Sequence, residues 1–519
     1  MSPSQVNLLS LNMKGETEFF DEKNEANTSD TLSSSADSIA AVETIPCSGY
    51  STVATPNSNS SYHPKQHVNT TLALHSTACA LEVVDSLRTA NLNGLRLTYD
   101  EDEGTAYGDC FHPISNSING RSHILRRLSE ALMRRSLTMI DMSQRGLISR
   151  DARLLKLALL QNAQLTVLKV GYNQLRDEGI VSLCHALRNH SSLETLDVGF
   201  NSFGDDGCEA LAGALRTNQS VKTLYLAGNS IQKRGAIALA RDVIRERRGI
   251  LKRLHLTANR IGDVGVQAIA EAVERQALQQ HNRSPILGEV VEHEEDEEGG
   301  LEELFLGKTH FGKAGCASIS RMMSCPKIES LRVLSLSDNS IGDGEAAMFA
   351  EAIVNNKEAF SIESLQLSFN RLTCVGVESL MNSIWGSKTL KAIRLDNNQI
   401  RDRGAQLVAV VLTSTNLEVL DIGFNQITSV GMKALMKLVA ENKSLKSLSI
   451  SGNRLDTVGS KAVAFALAYN QSLRSMFIDK CSMGYTAQRQ IAAGIVSNSG
   501  TSLKIVTGFR LGSEYLSTT

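Results

Sequence analysis

The sequence predicts an α/β solenoid, in which repeated strand–helix units form an inner parallel β-sheet and an outer layer of α-helices. The main observation is a phrase, L-x-x-L-x-L-x-x-N-x-(I/L/F), that recurs about every 28 residues from Leu137 onward. A fixed period in this range is typical of stacked units that share one continuous core. The twelve copies of the phrase begin at Leu137, Leu165, Leu193, Val221, Leu251, Leu301, Leu331, Ile362, Leu390, Leu417, Leu445 and Leu473.

Each part of the repeat carries its own structural signal. The alternating L-x-L predicts a short strand. The ninth position is Asn in nine of the twelve copies, and we interpret it as a side-chain partner for the amides of a turning backbone. A Gly follows at the fifteenth position in nine copies, and apolar residues three and four apart then predict a helix. This Gly is expected to let the start of the helix pack closely against the neighbouring repeat.

The different spacings of strands and helices predict the shape of the array. Parallel strands stack about 4.8 Å apart, whereas packed helices need roughly 8–10 Å. Because the helices take more room, the array is expected to curve into a horseshoe with the strands on its concave face.

Composition divides the rest of the chain into regions. Residues 1–75 are rich in Ser, Thr and Asn and poor in large apolar residues, which predicts a disordered tail. Residues 76–136 are expected to be partly ordered and to end in a helix over 122–135 that caps the array. The leucine-containing repeats occupy 137–500, and residues 501–519 are expected to form a C-terminal cap or tail.

An acidic insert at 279–300 interrupts the array between the copies that begin at Leu251 and Leu301. It contains the run EVVEHEEDEE, which predicts a solvated, flexible loop. The alternative is an electrostatic contact for a basic partner. We expect no metal site there, because His293 has no second His or Cys nearby and the run has no rigid geometry.

Charge and cysteine content exclude several classes of function. The chain has 53 Lys and Arg against 55 Asp and Glu, a net charge of −2, so we expect no nucleic-acid or membrane partner. No apolar run approaches the roughly 18 residues of a membrane span, and no signal peptide is apparent. The nine cysteines lack C-x-x-C spacing, which indicates a reducing compartment, the cytoplasm or alternatively the nucleus.

The exposed strand positions are the candidate partner-binding residues. Side chains at positions three, five, seven and eight of each phrase are expected to point into the concavity. Exposed aromatic and arginine side chains are frequent in binding hot spots, although rings at position eight could instead pack on the next loop. The predicted binding residues are Tyr172, Asp197, Phe200, Tyr225, Arg253, His255, Phe305, Phe369, Arg394, Asp396, Asp421, Phe424 and Phe477.

No catalytic constellation is apparent in the sequence. The eleven histidines form no H-x-x-x-H pattern, and there is no nucleophile elbow. The stretch GKTHFGKA nearly matches a phosphate-binding loop, but Ala314 stands where a magnesium-binding hydroxyl is required. The repeat register also explains Gly307 and Phe311. We therefore predict no enzyme activity of the chain's own, no cofactor and no metal.

The 28-residue unit, with its L-x-x-L-x-L-x-x-N-x-(I/L) phrase, a following D-x-G and a full helix, resembles the ribonuclease-inhibitor-type leucine-rich repeat. The resemblance covers residues 137–500. Proteins with this repeat include ribonuclease inhibitors, Ran GTPase-activating proteins and the sensor ends of NOD-like receptors. The favoured function is an intracellular scaffold that binds a protein on its concave face. The resemblance also allows a Ran-type activator of a small GTPase, or a sensor-like fragment of a NOD-like receptor.

Overall fold

The computed structural model describes residues 89–91, 138–281 except residue 248, and 299–508. The predicted N-terminal tail, the predicted capping helix and most of the predicted acidic insert lie outside these residues. The described part forms two compact units. The first contains 89–91, 138–399 and 415–420, and the second contains 400–414 and 421–508.

Strands and helices alternate along the chain, as the repeat predicts. The strands are β1 (Thr89–Asn91), β2 (Met139–Asp141), β3 (Val167–Lys169), β4 (Thr195–Asp197), β5 (Thr223–Tyr225), β6 (Arg253–His255), β7 (Glu303–Phe305), β8 (Val333–Ser335), β9 (Ser364–Gln366), β10 (Ala392–Arg394), β11 (Val419–Asp421), β12 (Ser447–Ser449), β13 (Ser475–Phe477) and β14 (Ile505–Thr507). The helices are α1 (Ser149–Gln161), α2 (Arg176–Leu187), α3 (Asp205–Leu215), α4 (Lys233–Ala238) with a π-helical continuation (Leu239–Arg245), α5 (Gly262–His281), α6 (Lys313–Met323), α7 (Asp343–Asn355), α8 (Cys374–Ile384), α9 (Arg401–Val411), α10 (Ser429–Glu441), α11 (Thr457–Tyr469) and α12 (Tyr485–Ser497).

Neighbouring strands within each unit are parallel and pair in repeat register. In the first unit Leu168 pairs with Leu196, and Leu196 pairs with Leu224. These fourth-position leucines are buried beneath the sheet, so positions three and five lie on its opposite face. The predicted leucine-rich-repeat solenoid, with parallel strands and one helix per repeat, is confirmed. Strands β1 and β14 add parallel neighbours to β2 and β13, outside the twelve copies of the phrase.

The ninth-position asparagines hold the turning backbone, as predicted. All nine are buried, with at most 7% of the residue exposed. Asn201 is typical: its Nδ2 donates to the carbonyl oxygens of Val170 (3.0 Å) and Val198 (3.1 Å). Its Oδ1 accepts from the amide of Leu175, in the preceding repeat. One side chain therefore joins two repeats through groups that no water can reach.

A second row of asparagines lies at the other end of the repeat, in four of six cases three residues before the first position of the next phrase. Asn218 donates from Nδ2 to the carbonyls of Leu187 and His190, both at 2.8 Å, in the preceding repeat. Its Oδ1 accepts from the amides of Ser220 and Val221, which lead into the next strand. Equivalent asparagines are Asn162, Asn356, Asn470 and Asn498, which are buried, and Asn442, which is half-buried.

Close packing at the fifteenth-position glycine is also confirmed, and it has a specific cause. A Cβ on Gly207 would lie only 2.8 Å from Oδ1 of Asp177, an aspartate of the preceding repeat. That oxygen accepts hydrogen bonds from the amides of Gly204 (2.8 Å) and Gly207 (2.7 Å). The aspartate thus caps the first turn of the next helix, which has free amides to satisfy.

Within the described residues, no helix has both the length and the apolar composition that a bilayer span requires.

Candidate protein-binding surface

Three predicted binding residues form a continuous stack on the side of the sheet that the helices leave uncovered, here called the exposed sheet face. Tyr225, His255 and Phe305 occupy the fifth position of three successive strands, paired in register. The ring centroids of Tyr225 and His255 are 4.3 Å apart, and those of His255 and Phe305 are 4.0 Å apart. All three side chains are half-buried. We call this stack the aromatic column.

The aromatic column is uncharged near neutral pH. Burial, assisted by the nearby Arg253 guanidinium, lowers the pKa of His255 to about 4. Its Nε2 is buried and has no hydrogen-bond partner among the described residues. Burial and the Glu303 carboxylate raise the pKa of Tyr225. Arg253 and Glu303 pair with each other beside the column, Nε to Oε1 3.0 Å, so their charges largely cancel.

A second pair of rings, Tyr172 and Phe200, comes from the eighth position of successive repeats. Their centroids are 4.3 Å apart and their planes differ by 7°. Phe200 packs over Gly228, where a Cβ would come within 2.2 Å of the phenyl ring. The predicted alternative for eighth-position rings, packing on the next loop, therefore applies to Phe200. Tyr172 remains 47% exposed despite this stacking.

Asp197 lies beside this ring pair on β4. Its Oδ1 accepts a hydrogen bond from the amide of Gly199 at 2.9 Å. Its carboxylate oxygens also pass over Gly171, where a Cβ would lie 3.2 Å and 3.3 Å from them. Burial raises the pKa of Asp197, while the Gly199 amide and the Lys169 ammonium act in the opposite direction. The two glycines make room for a half-buried carboxylate against the backbone.

The remaining predicted residues of the first unit belong to other repeats than the aromatic column and the Tyr172–Phe200 pair. Phe369 follows β9 at an eighth position and is 44% exposed. Arg394 ends β10 and is exposed. Asp396 accepts hydrogen bonds from the Ser368 hydroxyl and from Asn397 Nδ2, the latter at 2.9 Å. The Asp396 carboxylate therefore already has hydrogen-bond donors within the protein, one of them in its own loop.

In the second unit, the structure places Asp421 and Phe424 in a local arrangement like that of Asp197 and Phe200. Oδ1 of Asp421 accepts from the Gly423 amide at 3.0 Å. Phe424 packs over Gly452, at 2.2 Å from where a Cβ would be. The ammonium of Lys480 lies 5.7 Å from the Phe424 ring centroid. Phe477 is half-buried on β13.

Sequence reasoning missed the residues that these rings pack against. Gly228 and Gly452 stand at the eighth position of the repeat that follows a phenylalanine at the same position. That pairing of Phe with Gly one repeat later is a signal visible in the sequence. Lys480 was not predicted either, because its contact spans two repeats.

Comparisons with known proteins agree with this architecture. The family described as Leucine Rich repeat matches residues 161–184, 189–212, 217–240, 251–270, 327–349, 386–409, 413–436 and 441–464. The chain is therefore a leucine-rich-repeat protein. Ribonuclease inhibitor from Sus scrofa is 26% identical over 193 residues, which is 37% of this chain and 37% of the inhibitor. NACHT, LRR and PYD domains-containing protein 14 from Homo sapiens is 24% identical over 212 residues, 35% of this chain and 17% of that protein.

Within the leucine-rich-repeat proteins, this chain is of the ribonuclease-inhibitor-like type, as the predicted resemblance indicated. It spans only about 37% of the length of the ribonuclease inhibitors it matches. Among solved structures, an internalin from Listeria monocytogenes is 16% identical, with a TM-score of 0.41, covering 85% of this chain and 96% of that one. A chain in the crystal structure of the Rad7 and Elc1 complex from yeast is 13% identical, with a TM-score of 0.39. The match covers 76% of this chain and 89% of that one.

Proposed function

We propose that this protein is a scaffold that binds a protein partner on the exposed sheet face of its first unit, with the aromatic column at the centre of the contact. The observation that carries this proposal is the stack of Tyr225, His255 and Phe305 across three strands. Rings held by strands and by each other lose little freedom on binding, and aromatic anchors supply much of the affinity of protein interfaces.

The surroundings of the column suit a protein partner. The apolar rings are bordered by charged side chains, Arg253 and Glu303, that are satisfied by each other. An apolar centre with a polar border is the usual arrangement of protein interfaces.

Four of the described cysteines, Cys184, Cys208, Cys316 and Cys481, are buried and unpaired, which supports a reducing compartment such as the cytoplasm.

Quantitative affinity capture from extracts of cells that make the protein tests this proposal. The bait proteins are the full chain, a variant with Tyr225→Ala and Phe305→Ala, and the matched control Tyr485→Ala. Tyr485 is an aromatic residue with 62% exposure at the start of α12, outside the strands. At least one protein should bind the full chain and the control equally, and bind the double variant about tenfold less, because two anchors are lost.

Two further measurements make the result decisive. Circular dichroism and thermal melting of the double variant should match those of the full chain, because both changes lie on the surface of the sheet. Photo-crosslinking from benzoylphenylalanine at position 305 should label the same protein, whereas the same group at position 485 should not. Equal capture by all three baits, with no adduct at position 305, would refute the proposal.

We do not extend the proposal to GTPase activation. A Ran-type activator would need an asparagine of its repeat loops to meet the GTPase. The nine asparagines at the ninth position are buried in this chain. Two of them, Asn201 and Asn259, are fully inaccessible to solvent. Their amides are hydrogen-bonded to the repeat backbone, for example Asn259 Nδ2 to the carbonyls of Leu226 and Leu256 at 2.9 Å.

A further inference from the structure

The same five-residue pattern, Asp-x-Gly-Phe-Asn, occurs at 197–201 and at 421–425, once in each unit. In both copies the aspartate accepts a hydrogen bond from the glycine amide two residues later. In both, the phenylalanine packs over a glycine of the next repeat. The local backbone and the placement of the ring are therefore alike in the two copies.

The two copies differ in what lies over the phenylalanine. In the second copy the chain supplies its own cation, since Lys480 Nζ lies 5.7 Å from the centroid of Phe424. Lys480 occupies the eighth position two repeats after Phe424. The equivalent residue two repeats after Phe200 is Ala258, which has no charge to offer. Among the described residues, no Lys or Arg lies over the Phe200 ring or its partner Tyr172.

The first copy carries two features that favour a cation from outside. Tyr172 stacks on Phe200 while 47% of the residue remains exposed, and ring faces attract cations. The adjacent fifth-position residues on β2, β3 and β4 are Asp141, Lys169 and Asp197, paired in register. Asp141 also interacts with the Arg145 guanidinium, so the carboxylate next to the rings that can meet a cation is that of Asp197, which has Lys169 as its neighbour. Within the described residues, the only hydrogen bond to the Asp197 carboxylate is that from Gly199 to Oδ1, so Oδ2 can accept another.

We propose that Tyr172, Phe200 and Asp197 form an acceptor site for an arginine side chain of the protein partner. The inference rests on the proposed function, because it assigns one residue of the protein that binds the exposed sheet face. The guanidinium would lie flat on the Tyr172 ring and donate to Oδ2 of Asp197. Arginine suits this site better than lysine, because its planar group can stack and donate sideways at once and is more weakly hydrated.

Fluorine NMR of the full chain labelled with 3-fluorotyrosine tests the site without a known partner. The chain has nine tyrosines, and the Tyr172 resonance is assigned with Tyr172→Phe. The probe is N-acetyl-arginine methylamide, and the matched neutral probe is the citrulline analogue, which has nearly the same shape. The arginine probe should shift the Tyr172 resonance in a saturable manner, and the citrulline probe should leave it in place.

Three variants identify the cause of that shift. Asp197→Asn keeps an oxygen for the Gly199 amide but removes the charge, and should weaken the arginine response about fivefold. Ala258→Lys supplies an internal cation on the Gly228 side of Phe200, opposite Tyr172, and should weaken the arginine response less than Asp197→Asn does. The control Asp338→Asn removes one negative charge from an eighth position elsewhere on the first unit, and should change nothing. Unshifted resonances of the other tyrosines show that each variant is folded.

The proposal is overturned if Tyr172 does not respond up to the solubility limit of the arginine probe, or if citrulline produces the same shift. A stronger response to N-acetyl-lysine methylamide, or equal effects of Asp197→Asn and Asp338→Asn, would also overturn it. These outcomes are separable from the proposed function. Partner capture that depends on Tyr225 and Phe305 would survive a failure of the arginine site, and arginine binding would survive a failure of the capture.

Discussion

Replacing Asn201 with alanine should weaken the array locally, because this side chain connects two repeats through buried groups. Asn201 is fully inaccessible. Its Nδ2 donates to the carbonyls of Val170 and Val198, and its Oδ1 accepts from the amide of Leu175. Alanine offers no replacement for any of these three contacts, and the site is too enclosed for water to supply them.

The loss in stability depends on which of the three backbone groups keep another hydrogen-bond partner in the alanine variant. The Leu175 amide is left without an acceptor in a buried place, which costs about 2 kcal/mol. The Val170 carbonyl still receives Asn173 Nδ2 at 2.8 Å, and the Val198 carbonyl still receives Asn229 Nδ2 at 3.1 Å. Each of those two carbonyls therefore loses only a net contribution of about 1 kcal/mol. The free energy of locally unfolding these repeats should therefore fall by about 4 kcal/mol.

Threonine is a graded comparison at the same position. Thr309 stands at the ninth position of another repeat, and its hydroxyl donates to the Leu306 carbonyl at 2.7 Å. Asn201→Thr should recover one donated bond of this kind but not the acceptor for the Leu175 amide. Its expected cost is about 3 kcal/mol, between the wild type and the alanine variant.

Amide hydrogen exchange read by mass spectrometry is the suitable assay, because long repeat arrays need not unfold in one step. Peptides within 165–230 should open more easily in the alanine variant by about 4 kcal/mol. Peptides within 445–500 serve as an internal reference and should exchange as in the wild type. If protection within 165–230 changes by less than about 1 kcal/mol, or if the reference loses as much, the buried asparagine does not hold the repeats as described.

Three other perturbations follow from the same contacts. Thr309→Asn should stabilise its repeat by about 1 kcal/mol in the exchange assay, since asparagine restores the side-chain acceptor that nine of the repeats have. Asp343→Ala should cost about 1–2 kcal/mol, seen as faster exchange at the start of α8, because Oδ1 of Asp343 accepts from the amides of Thr373 (2.8 Å) and Gly376 (2.9 Å). The pKa of His255 is lowered from 6.5 to about 4, so as the pH falls through this window the unfolded chain takes up the proton first and stability decreases. Thermal melting of His255→Phe should show a smaller decrease than the wild type between pH 6.5 and pH 4.

The strands, the helices and the ninth-position asparagines could be predicted from the sequence because each rests on a short-range pattern. Alternating leucines define a strand, and a recurring buried amide side chain defines a turn. The second row of asparagines, such as Asn218, also recurs, but its position next to Ser and Thr resembles ordinary turn chemistry. The capping of one helix by an aspartate of the preceding repeat, such as Asp177, could not be read from spacing alone, since the contact joins residues 27 and 30 positions apart.

The arrangement of the rings was less accessible to prediction for a physical reason. Tyr172 and Phe200 have positive φ, 56° and 54°, a conformation that side chains with a Cβ rarely adopt. Neither residue type indicates it. The surrounding hydrogen bonds impose it, for example from the Phe200 amide to the Ala227 carbonyl at 2.7 Å. A left-handed residue turns its side chain toward the next repeat, so the direction of the ring depends on contacts a whole repeat away.

That same constraint explains how one repeat can give surfaces of different chemistry. Leucines and asparagines fix the backbone, so a residue at position eight changes what the sheet face presents without changing the fold. Ala258 and Lys480 illustrate this, since they occupy equivalent places relative to Phe200 and Phe424 and differ by a full charge. Lysine also stands at this position at Lys308, with φ of 52°, so the backbone accepts it. Partner choice can therefore be set by a few side chains at positions five and eight, and exchanging them should alter binding while the array stays folded.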